Sequence, residues 1–334
     1  ELTNMSNLIH IATAADENFA LPVAVMLRSI IDNLNKYYTI HASILDCGLS
    51  IRSRKHIIAS LPKAWITLNF YHLNNDLFRG LRVDGHVSQA TYARLFIDQV
   101  FHKQIDKLLY LDGDTLSVHD ISILWNISVE HFFLAAIQDP VAGVVGKSPQ
   151  MMHWAGWDVA EGTKIFNAGV MLINTRKWEQ EGICKKAIEV ARSFPQRMKW
   201  WDQCALNYVI RGKFLNIDLK WNVMPHLYYP PNCFDVIYSR DIIEAAIRDP
   251  YIVHFSGNNR PWRGCNRHWR ETDFYRYLYR TKYRKRVPFA PWMGRGRTSF
   301  HKIARYSQNL YQQFASGLSS GVFDINNGES KGST

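Results

Sequence analysis

The segment KLLYLDGD, residues 107–114, is an apolar run that stops abruptly at two carboxylates. Residues 107–111 have the length and composition of a buried strand. In an α/β sheet, ligands bind beyond the carboxyl ends of the strands, so Asp112 and Asp114 are placed to meet one. Oxygen ligands two positions apart around Gly113 suit a hard cation such as Mg²⁺ or Mn²⁺. Because Asp-x-Asp is also common in solvated turns, a metal site needs a third ligand elsewhere in the chain.

The residues on either side of this segment alternate between strand-like and helix-like patterns. That alternation predicts an α/β fold with a mostly parallel sheet flanked by helices. Asn18 and Ser50 are the expected N-caps of the first two helices. Asp16, like Asp112, directly follows a predicted strand, so both are expected to face a ligand. The predicted strands are 8–14, 40–45, 65–71, 107–111, 132–137, 168–173 and 251–255, and the predicted helices are 19–34, 50–60, 88–100 and 178–194.

The composition is that of a globular protein. Of 334 residues, 47% are hydrophobic and 21% are charged. No run approaches the roughly 18 uninterrupted apolar residues of a membrane-spanning helix. The five cysteines form no CxxC pair, which favours reduced thiols over disulfides or a thiolate zinc site. We therefore expect a cytoplasmic protein.

The net charge of +11 is concentrated near the C-terminus. Residues 263–305 contain thirteen Lys or Arg and two Asp or Glu, whereas residues 1–262 are nearly neutral. A neutral body disfavours a general nucleic-acid-binding protein, so no nucleic acid is expected as a partner. The sequence predicts an α/β domain (1–262), a basic, aromatic, helical extension (263–315) and a disordered tail rich in Ser, Gly and Asn (316–334).

The predicted extension interleaves basic side chains with aromatic ones such as Tyr275, Tyr283 and Trp292. That combination suits attachment to an anionic bilayer, where each basic residue near the surface contributes about 1 kcal/mol. Attachment would hold the protein as a peripheral protein at the inner face of the plasma membrane. A solvated basic tail is the alternative.

A second polar segment, HFSGNNRPW at residues 254–262, begins at the end of the last predicted strand. His254 ends that strand and could ligate a metal. Gly257 permits close backbone approach to a phosphate, and Arg260 can fork onto phosphate oxygens. A lone histidine at a strand end is more often structural, so the segment by itself leaves both roles open.

Three further segments carry polar side chains that could hold a sugar. Asp202 and Gln203 precede an apolar helical stretch, Asn167 opens a strand beside small residues, and Arg94 lies in the predicted helix 88–100. Each has an ordinary structural alternative. Asp202 could be a helix N-cap, Asn167 a turn residue, and Arg94 a solvated or salt-bridged arginine.

These segments occur together, in the same order, in one family. The chain resembles the bacterial glycosyltransferases of family 8 and is similar to the lipopolysaccharide and lipooligosaccharide galactosyltransferases and glucosyltransferases. The resemblance covers about residues 7–270. The matching segments are AADEN (14–18), TYAR (91–94), LYLDGD (109–114), FNAGV (166–170), WDQ (201–203) and HFSGNNRPW (254–262).

The resemblance implies a GT-A fold for residues 1–262 and a retaining, metal-dependent hexosyltransferase. It implies Mn²⁺ (or Mg²⁺), a UDP-sugar donor such as UDP-Gal or UDP-Glc, and a glycan or glycolipid acceptor of lipopolysaccharide type. The residues that it assigns are Asp112, Asp114 and His254 to the metal, Asp16 and Asn18 to the nucleoside, Gly257 and Arg260 to the phosphates, and Arg94, Asp139, Asn167, Asp202 and Gln203 to the donor sugar, with Gly113 among the residues that bind the donor and metal. Of the residues assigned to the donor sugar, Gln203, Asp202 and Asp139 are the catalytic candidates, with Gln203 nearest the anomeric carbon.

Two positions depart from the family. Arg260 stands where members usually have Lys, which keeps the positive charge with a different geometry. Cys204 stands where some members have Asp, which removes a carboxylate near the anomeric carbon. A retaining glycosidase uses two close carboxylates, but Gln203 is a poor nucleophile. We therefore favour same-face substitution, in which the departing phosphate oxygen takes the acceptor's proton.

Two other function classes stay open on the residues alone. The basic aromatic segment could bind nucleic acid, although phosphate backbones need distributed basic contacts. Asp112 and Asp114 could instead serve a nucleotidyl or phosphoryl transferase. The tripeptide at 146–148 is only half of a P-loop, because Val141 occupies the position of the first glycine. The choice between galactose and glucose depends on contacts to one hydroxyl, which no motif reveals.

Overall fold

A computed structural model of the protein describes residues 7–83, 88–100, 105–146, 158–228, 237–257, 260–263 and 270–285. The strands are β1 (Leu8–Ala15), β2 (Thr39–Asp46), β3 (Ile66–His72), β4 (Lys107–Leu111), β5 (Thr115–Ser117), β6 (Leu134–Ala136), β7 (Val170–Asn174), β8 (Leu215–Asn216) and β9 (Ile252–His254). One sheet has the order β3-β2-β1-β4-β7-β6-β8, and β5 pairs with β9. Within the large sheet only β7 runs antiparallel to its neighbours, so the predicted mostly parallel sheet is confirmed.

Helices cover both faces of the large sheet, as the alternating sequence pattern predicts. They are α1 (Ala20–Asn33), α2 (Ile51–Ala59), α3 (Ser122–Trp125), α4 (Thr175–Gln180), α5 (Ile183–Ser193), α6 (Trp201–Ile210), α7 (Arg240–Arg248) and α8 (Glu271–Leu278), with a 3₁₀ helix at Gln89–Val100. Among these helices of the described chain, none is both long and apolar enough to cross a bilayer.

The strand β4 lies at the centre of the sheet, between β1 and β7. Its residues from Leu108 to Leu111 are buried, which explains why they form an unbroken apolar run instead of an alternating one. Because β1 and β4 are parallel, their carboxyl ends meet at one edge. Because β7 is antiparallel to β4, it begins at that edge, where the Asp112 amide donates to the Gly169 carbonyl at 2.8 Å. The three strands therefore position polar residues at the same edge of the sheet.

The short β5–β9 pair brings a distant histidine to the same edge. Thr115 is opposite His254 in the register, and the amide of Phe255 donates to the carbonyl of Asp114 at 2.8 Å. Residues about 140 positions apart thereby become neighbours, because backbone hydrogen bonds set which side chains lie side by side.

Three local predictions need correction. Asn18 does not cap the first helix: Asp16 accepts from the Phe19 amide and caps a 3₁₀ turn, after which α1 begins without a side-chain cap. The predicted helix 178–194 is two helices, since Gly182 takes a left-handed conformation with φ of 60° between α4 and α5. The helical stretch after residue 88 is a 3₁₀ helix, with a non-helical Phe96 inside it. The Ser50 cap of α2 is confirmed.

Part of the predicted C-terminal extension packs against the α/β body. Arg280 pairs with Asp32 of α1 at 2.7 Å. The hydroxyl of the fully buried Tyr283 donates to the Ser53 carbonyl of α2 at 3.3 Å. Residues up to 285 therefore share a core with the helices. The predicted boundary after residue 262 stays a prediction, and the predicted disordered tail, Trp292 and most of the basic segment lie outside the described residues.

Candidate active site

A cleft of about 390 Å³ opens at the edge where β1, β4 and β7 meet. All thirteen of the site residues predicted from the sequence line it. They are Asp16, Asn18, Arg94, Asp112, Gly113, Asp114, Asp139, Asn167, Asp202, Gln203, His254, Gly257 and Arg260. The fold thus brings together residues from seven separate segments of the chain.

Asp112, Asp114 and His254 form a cluster in which one ligand atom from each lies within 4.8 Å of the others. The His254 Nε2 atom is 3.1 Å from Asp114 Oδ1 and 3.8 Å from Asp112 Oδ2. The carboxylates come from the turn after β4, and the imidazole comes from the end of β9. Two carboxylate oxygens and one imidazole nitrogen are a donor set that fits Mn²⁺ or Mg²⁺, with the remaining positions left for a ligand.

Asn222 fixes the orientation of the His254 ring. The His254 Nδ1 atom lies 2.9 Å from Asn222 Oδ1, and Asn222 Nδ2 donates to Asn167 Oδ1 at 2.8 Å. Since Asn222 presents its oxygen to the ring, His254 Nδ1 donates to it, and Nε2 faces the carboxylates of Asp114 and Asp112. That is the arrangement a metal-binding histidine requires, so these residues fit a divalent cation.

The charges in this cluster shift one another's pKa values. Burial raises the pKa of Asp112 above its ordinary value despite the opposing charge of Arg94. Burial would also raise the pKa of Asp114, but His254 and Arg260 outweigh it and lower that pKa. Burial would lower the pKa of His254, but Asp114 and Asp112 outweigh it and raise that pKa. A crowded, buried set of opposite charges is typical of a functional site.

Arg94 joins the metal cluster to the carboxylate of Asp202. Its Nη2 lies 2.6 Å from Asp112 Oδ1, its Nε 2.7 Å from Asp202 Oδ2, and its Nη1 donates to the Ala168 carbonyl at 2.5 Å. Burial would lower the pKa of Arg94, but the two carboxylates outweigh it and raise that pKa. Burial raises the pKa of Asp202 to about 6, against the charge of Arg94.

The possible structural role of Asp202 as a helix N-cap is wrong. Trp200 is the N-cap residue of α6 and makes no side-chain cap, while Asp202 lies in the first turn with its carboxylate on Arg94. The ion pair with the buried Arg94 holds this carboxylate inside the cleft instead of at the helix end.

Asp139 uses both carboxylate oxygens inside the protein. Oδ1 accepts from the amides of Val141 and Ala142, each at 2.9 Å. Oδ2 accepts from Asn167 Nδ2 at 2.9 Å and from Gln203 Nε2 at 3.1 Å. With four hydrogen bonds, this carboxylate is held in place as an acceptor for its neighbours.

Cys204, the second departure from the family pattern, does not line the cleft. Cys204 is 1% exposed, packs in the core, and its Sγ accepts from the Trp200 amide at 3.3 Å. The neighbouring Gln203 faces the cleft, and its Oε1 accepts from the Ala168 amide at 3.1 Å. The thiol at position 204 therefore contributes to packing in this structure.

On the opposite side of the cleft, Asp16 accepts two hydrogen bonds, from the Phe19 amide at 3.1 Å and from Ser88 Oγ at 2.9 Å. The guanidinium of Arg260 lies over the rings of Phe19 and Trp262, 5.0 and 5.7 Å from their centroids. Arg260 Nη2 is also 3.4 Å from Asp114 Oδ2. The aromatic contacts hold this positive charge beside the metal cluster.

Two glycines of the site are required by close packing. A Cβ at Gly113 would lie 2.7 Å from Val23 Cγ2 of α1, and a Cβ at Gly169 would lie 2.4 Å from His254 Cε1. Gly113 therefore lets the Asp112–Asp114 turn approach α1, and Gly169 makes room for the imidazole.

Sequence reasoning missed three residues that support the site: Asn222, Ser88 and Gly169. Nothing in the sequence connects Asn222 with His254, since 32 positions separate them and no motif contains both. Ser88 and Gly169 lay inside segments already singled out. Their contacts depend on residues elsewhere in the chain, so only the fold shows their roles.

The sequence model of glycosyl transferase family 8 matches residues 10–265. A putative glycosyltransferase of Haemophilus influenzae is 31% identical over 260 residues, which is 77% of this chain and 74% of that protein. The lipopolysaccharide 1,2-glucosyltransferase of Escherichia coli K12 is 26% identical, covering 78% of this chain and 74% of that protein.

Among solved structures, the galactosyltransferase LgtC in complex with donor and acceptor sugar analogues superposes with a TM-score of 0.70 at 26% identity. The match covers 84% of this chain and all of that one. This similarity confirms the predicted GT-A architecture. One similar protein is named a glucosyltransferase and another a galactosyltransferase at equal identity, so the comparisons do not select the sugar.

Proposed function

Because this chain belongs to glycosyltransferase family 8, we propose that it transfers a hexose from a UDP-sugar to a glycan or glycolipid acceptor with retention of configuration. The observation that carries the proposal is the cluster of Asp112, Asp114 and His254 beside Arg260. Glycosyl transfer needs stabilisation of the negative charge that develops on the leaving diphosphate, and this corner of the cleft supplies positive charge and metal ligands.

The cation would be held by Asp112, Asp114 and His254, and Mn²⁺ is the ion we propose. When bound, a divalent cation supplies Lewis-acid stabilisation of phosphate oxygens. The Arg260 guanidinium, fixed between Phe19 and Trp262, adds charge-assisted hydrogen bonds to the same oxygens. We assign Asp16 and Asn18 to the nucleoside, because they lie at the carboxyl end of β1.

The carboxylates of the described cleft argue against a covalent intermediate. Asp139 carries four hydrogen bonds, and Asp202 is paired with Arg94. The amide of Gln203 is held at both ends, by Ala168 and Asp139, and an amide cannot ionise to form a strong nucleophile. We therefore propose same-face substitution, in which the departing phosphate oxygen accepts the proton of the acceptor hydroxyl. A sugar trapped covalently on Gln203 or Asp202 would overturn this mechanism.

The first experiment is a screen of UDP-Gal, UDP-Glc and UDP-GlcNAc for Mn²⁺-dependent hydrolysis, with Asp114→Asn as the inactive control. We expect turnover of one hexose donor, its loss on chelation, and an α-anomeric product at early times by ¹H NMR. No turnover of any of these donors, together with a salt-dependent shift of RNA, would favour the nucleic-acid-binding alternative. Transfer of a nucleotidyl or phosphoryl group instead of a sugar would favour the alternative of a nucleotidyl or phosphoryl transferase.

We also propose that the protein attaches to an anionic membrane surface. On α2, Ile51 and Ile58 are 73% and 41% exposed and lie two turns apart on one face, with the exposed Lys55 between them. The chain passes this helix again at Lys282 to Lys285, where three of four side chains are exposed and basic. An exposed lysine between exposed isoleucines, together with a run of exposed basic residues, suits an anionic bilayer.

Liposome co-sedimentation tests the attachment. Deletion should start at residue 286, because residues 271–285 pack against the body and their removal would expose core. We expect binding to phosphatidylserine vesicles to fall on this deletion and to fall further with Lys55→Glu. Binding that neither change affects would rule the attachment out.

A further inference from the structure

Glu17 lies between Asp16 and Asn18, in the 3₁₀ turn that follows β1, but its side chain contacts a different element. Its carboxylate accepts from the Ser50 amide at 2.9 Å, from Ser50 Oγ at 3.3 Å and from Ser53 Oγ at 2.7 Å. Ser50 is the N-cap residue of α2, and Ser53 lies in the first turn of that helix. Glu17 therefore ties the turn after β1 to the start of α2.

The N-terminus of α2 contains half of a capping box. Ser50 Oγ accepts from the Ser53 amide at 3.1 Å, as the first residue of a capping box does. The fourth position of the box is normally Glu or Gln, whose side chain accepts from the amide of the N-cap residue. Here that position is Ser53, and Glu17 accepts from the Ser50 amide across 33 positions of sequence. The acceptor that α2 lacks within its own sequence therefore comes from the turn after β1.

Strand pairing places these two segments side by side. The strands β1 and β2 are parallel and in register as far as Ala15 and Asp46, and the Cys47 amide donates to the Ala15 carbonyl at 2.9 Å. The loops after both strands therefore leave the same edge of the sheet, because parallel strands end on the same side. Glu17 can thus reach α2 while the residues on either side of it line the cleft.

We propose that Glu17 is a positioning residue for the nucleoside, which fixes Asp16 and Asn18 against α2 without itself contacting the ligand. The inference rests on the proposed function only in assigning Asp16 and Asn18 to the nucleoside. The Asp16 carboxylate is held by Ser88 Oγ at 2.9 Å, and the turn that carries it is held through Glu17. A turn that is fixed before binding loses less conformational entropy when the nucleoside arrives, which strengthens binding.

Glu17→Ala should weaken nucleotide binding and leave the chemical step unchanged. We expect the dissociation constant of UDP with Mn²⁺, from isothermal titration calorimetry, and the donor KM to rise about 5–20-fold, since several hydrogen bonds that order the turn are lost. We expect kcat to stay within about twofold, because Phe19 at the end of the turn is held separately by its edge contact with Trp262. Glu17→Gln keeps the length and one acceptor oxygen, so it should restore most of the affinity.

A double-mutant cycle separates positioning from direct contact with the nucleoside. Ser53→Ala removes one donor to Glu17, and Ser53 is 1% exposed and does not line the cleft. We expect this change to raise the UDP dissociation constant about 2–3-fold. The double variant should bind UDP as Glu17→Ala does, because both changes remove the same contact. If Ser53→Ala has no effect, or if the two effects multiply, Glu17 does not act through α2 and the proposal is overturned.

Asp46→Asn is the matched control. The buried Asp46 carboxylate accepts from two amides just before α2 and pairs with Arg54 of that helix at 2.6 Å. Among the described residues, none of these side-chain contacts reaches the turn at 16–19. The variant should therefore lose thermal stability while it keeps the UDP dissociation constant. A rise equal to that in Glu17→Ala would overturn the proposal, since any loosening of α2 would then suffice.

Hydrogen exchange of the nucleotide-free protein reports on the turn itself. The peptide that contains residues 16–19 should exchange faster in Glu17→Ala than in the wild type, and at the wild-type rate in Asp46→Asn. A turn that is equally protected in Glu17→Ala overturns the positioning role. Wild-type protein that binds no UDP contradicts the proposed function, whereas wild-type binding that Glu17→Ala leaves unchanged contradicts the positioning role alone.

Discussion

The two sides of the cleft are built differently. The outer rim, which comprises Asp16, Asn18, Phe19, Ser88 and Gly257, is exposed or half-buried. The inner wall, which comprises Arg94, Asp139, Asn167, Asp202 and Gln203, is held by hydrogen bonds and ion pairs between its own members and is buried apart from the half-buried Gln203. The metal cluster lies between the two.

The difference in burial and internal hydrogen bonding indicates that the rim and the inner wall contribute to different steps of catalysis. Side chains of the rim exchange water for a ligand, which contributes mainly to ground-state binding. The inner wall is organised before any ligand arrives, and fixed dipoles and charges are most effective where charge develops in the transition state. Substitutions in the rim should therefore change KM, and substitutions in the wall should change kcat.

The largest effect is expected at the junction of the two sides. Asp114→Asn removes a carboxylate that contacts both His254 and Arg260. We expect the transfer rate to fall by about 10³ or more, because a metal ligand and the neighbouring charges are lost together. The assay is initial-rate sugar transfer, with circular dichroism to show that the variant folds. A loss of less than tenfold would contradict a metal role for Asp114.

On the inner wall, Arg94→Lys keeps the charge but loses the fork that reaches Asp112, Asp202 and the Ala168 carbonyl. We expect kcat to fall about 10²-fold with a smaller change in donor KM. Arg79→Lys is the control, since Arg79 forms an exposed ion pair with Asp76. If KM rises and kcat is retained, the contrast between wall and rim is wrong.

At the rim, Ser88→Ala removes the hydroxyl that donates to Asp16 at 2.9 Å. One exposed hydrogen bond contributes about 0.5–1.5 kcal/mol, so we expect donor KM to rise about 2–10-fold while kcat stays within twofold. Steady-state kinetics against donor concentration measures both constants. A large drop in kcat would show that the rim also acts in the transition state.

The smallest effect is a pH dependence of stability. The folded-state pKa of Asp202 is about 6, above the value of an unfolded aspartate, so the folded protein binds more protons between these two values. Acidification from pH 8 to pH 5 should therefore stabilise the metal-free wild type relative to Asp202→Asn. We expect the difference between their Tm values to grow by about 1–4 °C, measured by thermal unfolding with a chelator present. A difference that is constant with pH would contradict the raised pKa.

The rim and the metal motif were largely predictable from the sequence. An apolar run followed by Asp-x-Asp identifies a buried strand and its polar end without any knowledge of other segments. Helix ends were less predictable: Asn18 looked like a cap, but Asp16 took that role, because caps depend on local backbone angles that several polar residues can satisfy. Gly182 likewise divides a helix that the apolar pattern shows as continuous.

For the inner wall, the sequence predicted which residues belong to it but not how they contact one another. The resemblance to one family listed Arg94, Asp139, Asn167 and Gln203 as neighbours of a sugar, but it did not reveal that they bind one another. Asn222 was absent from every motif, although it is the residue that orients His254. Interactions between buried polar side chains depend on distances that strand pairing sets, and such distances leave no periodic pattern in the sequence.

The sequence by itself determined the alternating α/β architecture, the position of the carboxylates at a strand end, and the segments that the family shares. The tertiary structure alone decided which residue orients the His254 ring, that Asp139 has no oxygen free of hydrogen bonds, and that Tyr283 packs inside the protein. The physical reason is the separation along the sequence between the residues that make each contact. Strand and helix patterns arise from contacts a few residues apart, whereas the charges and hydrogen bonds of the cleft join residues that only the folded sheet brings within 3 Å.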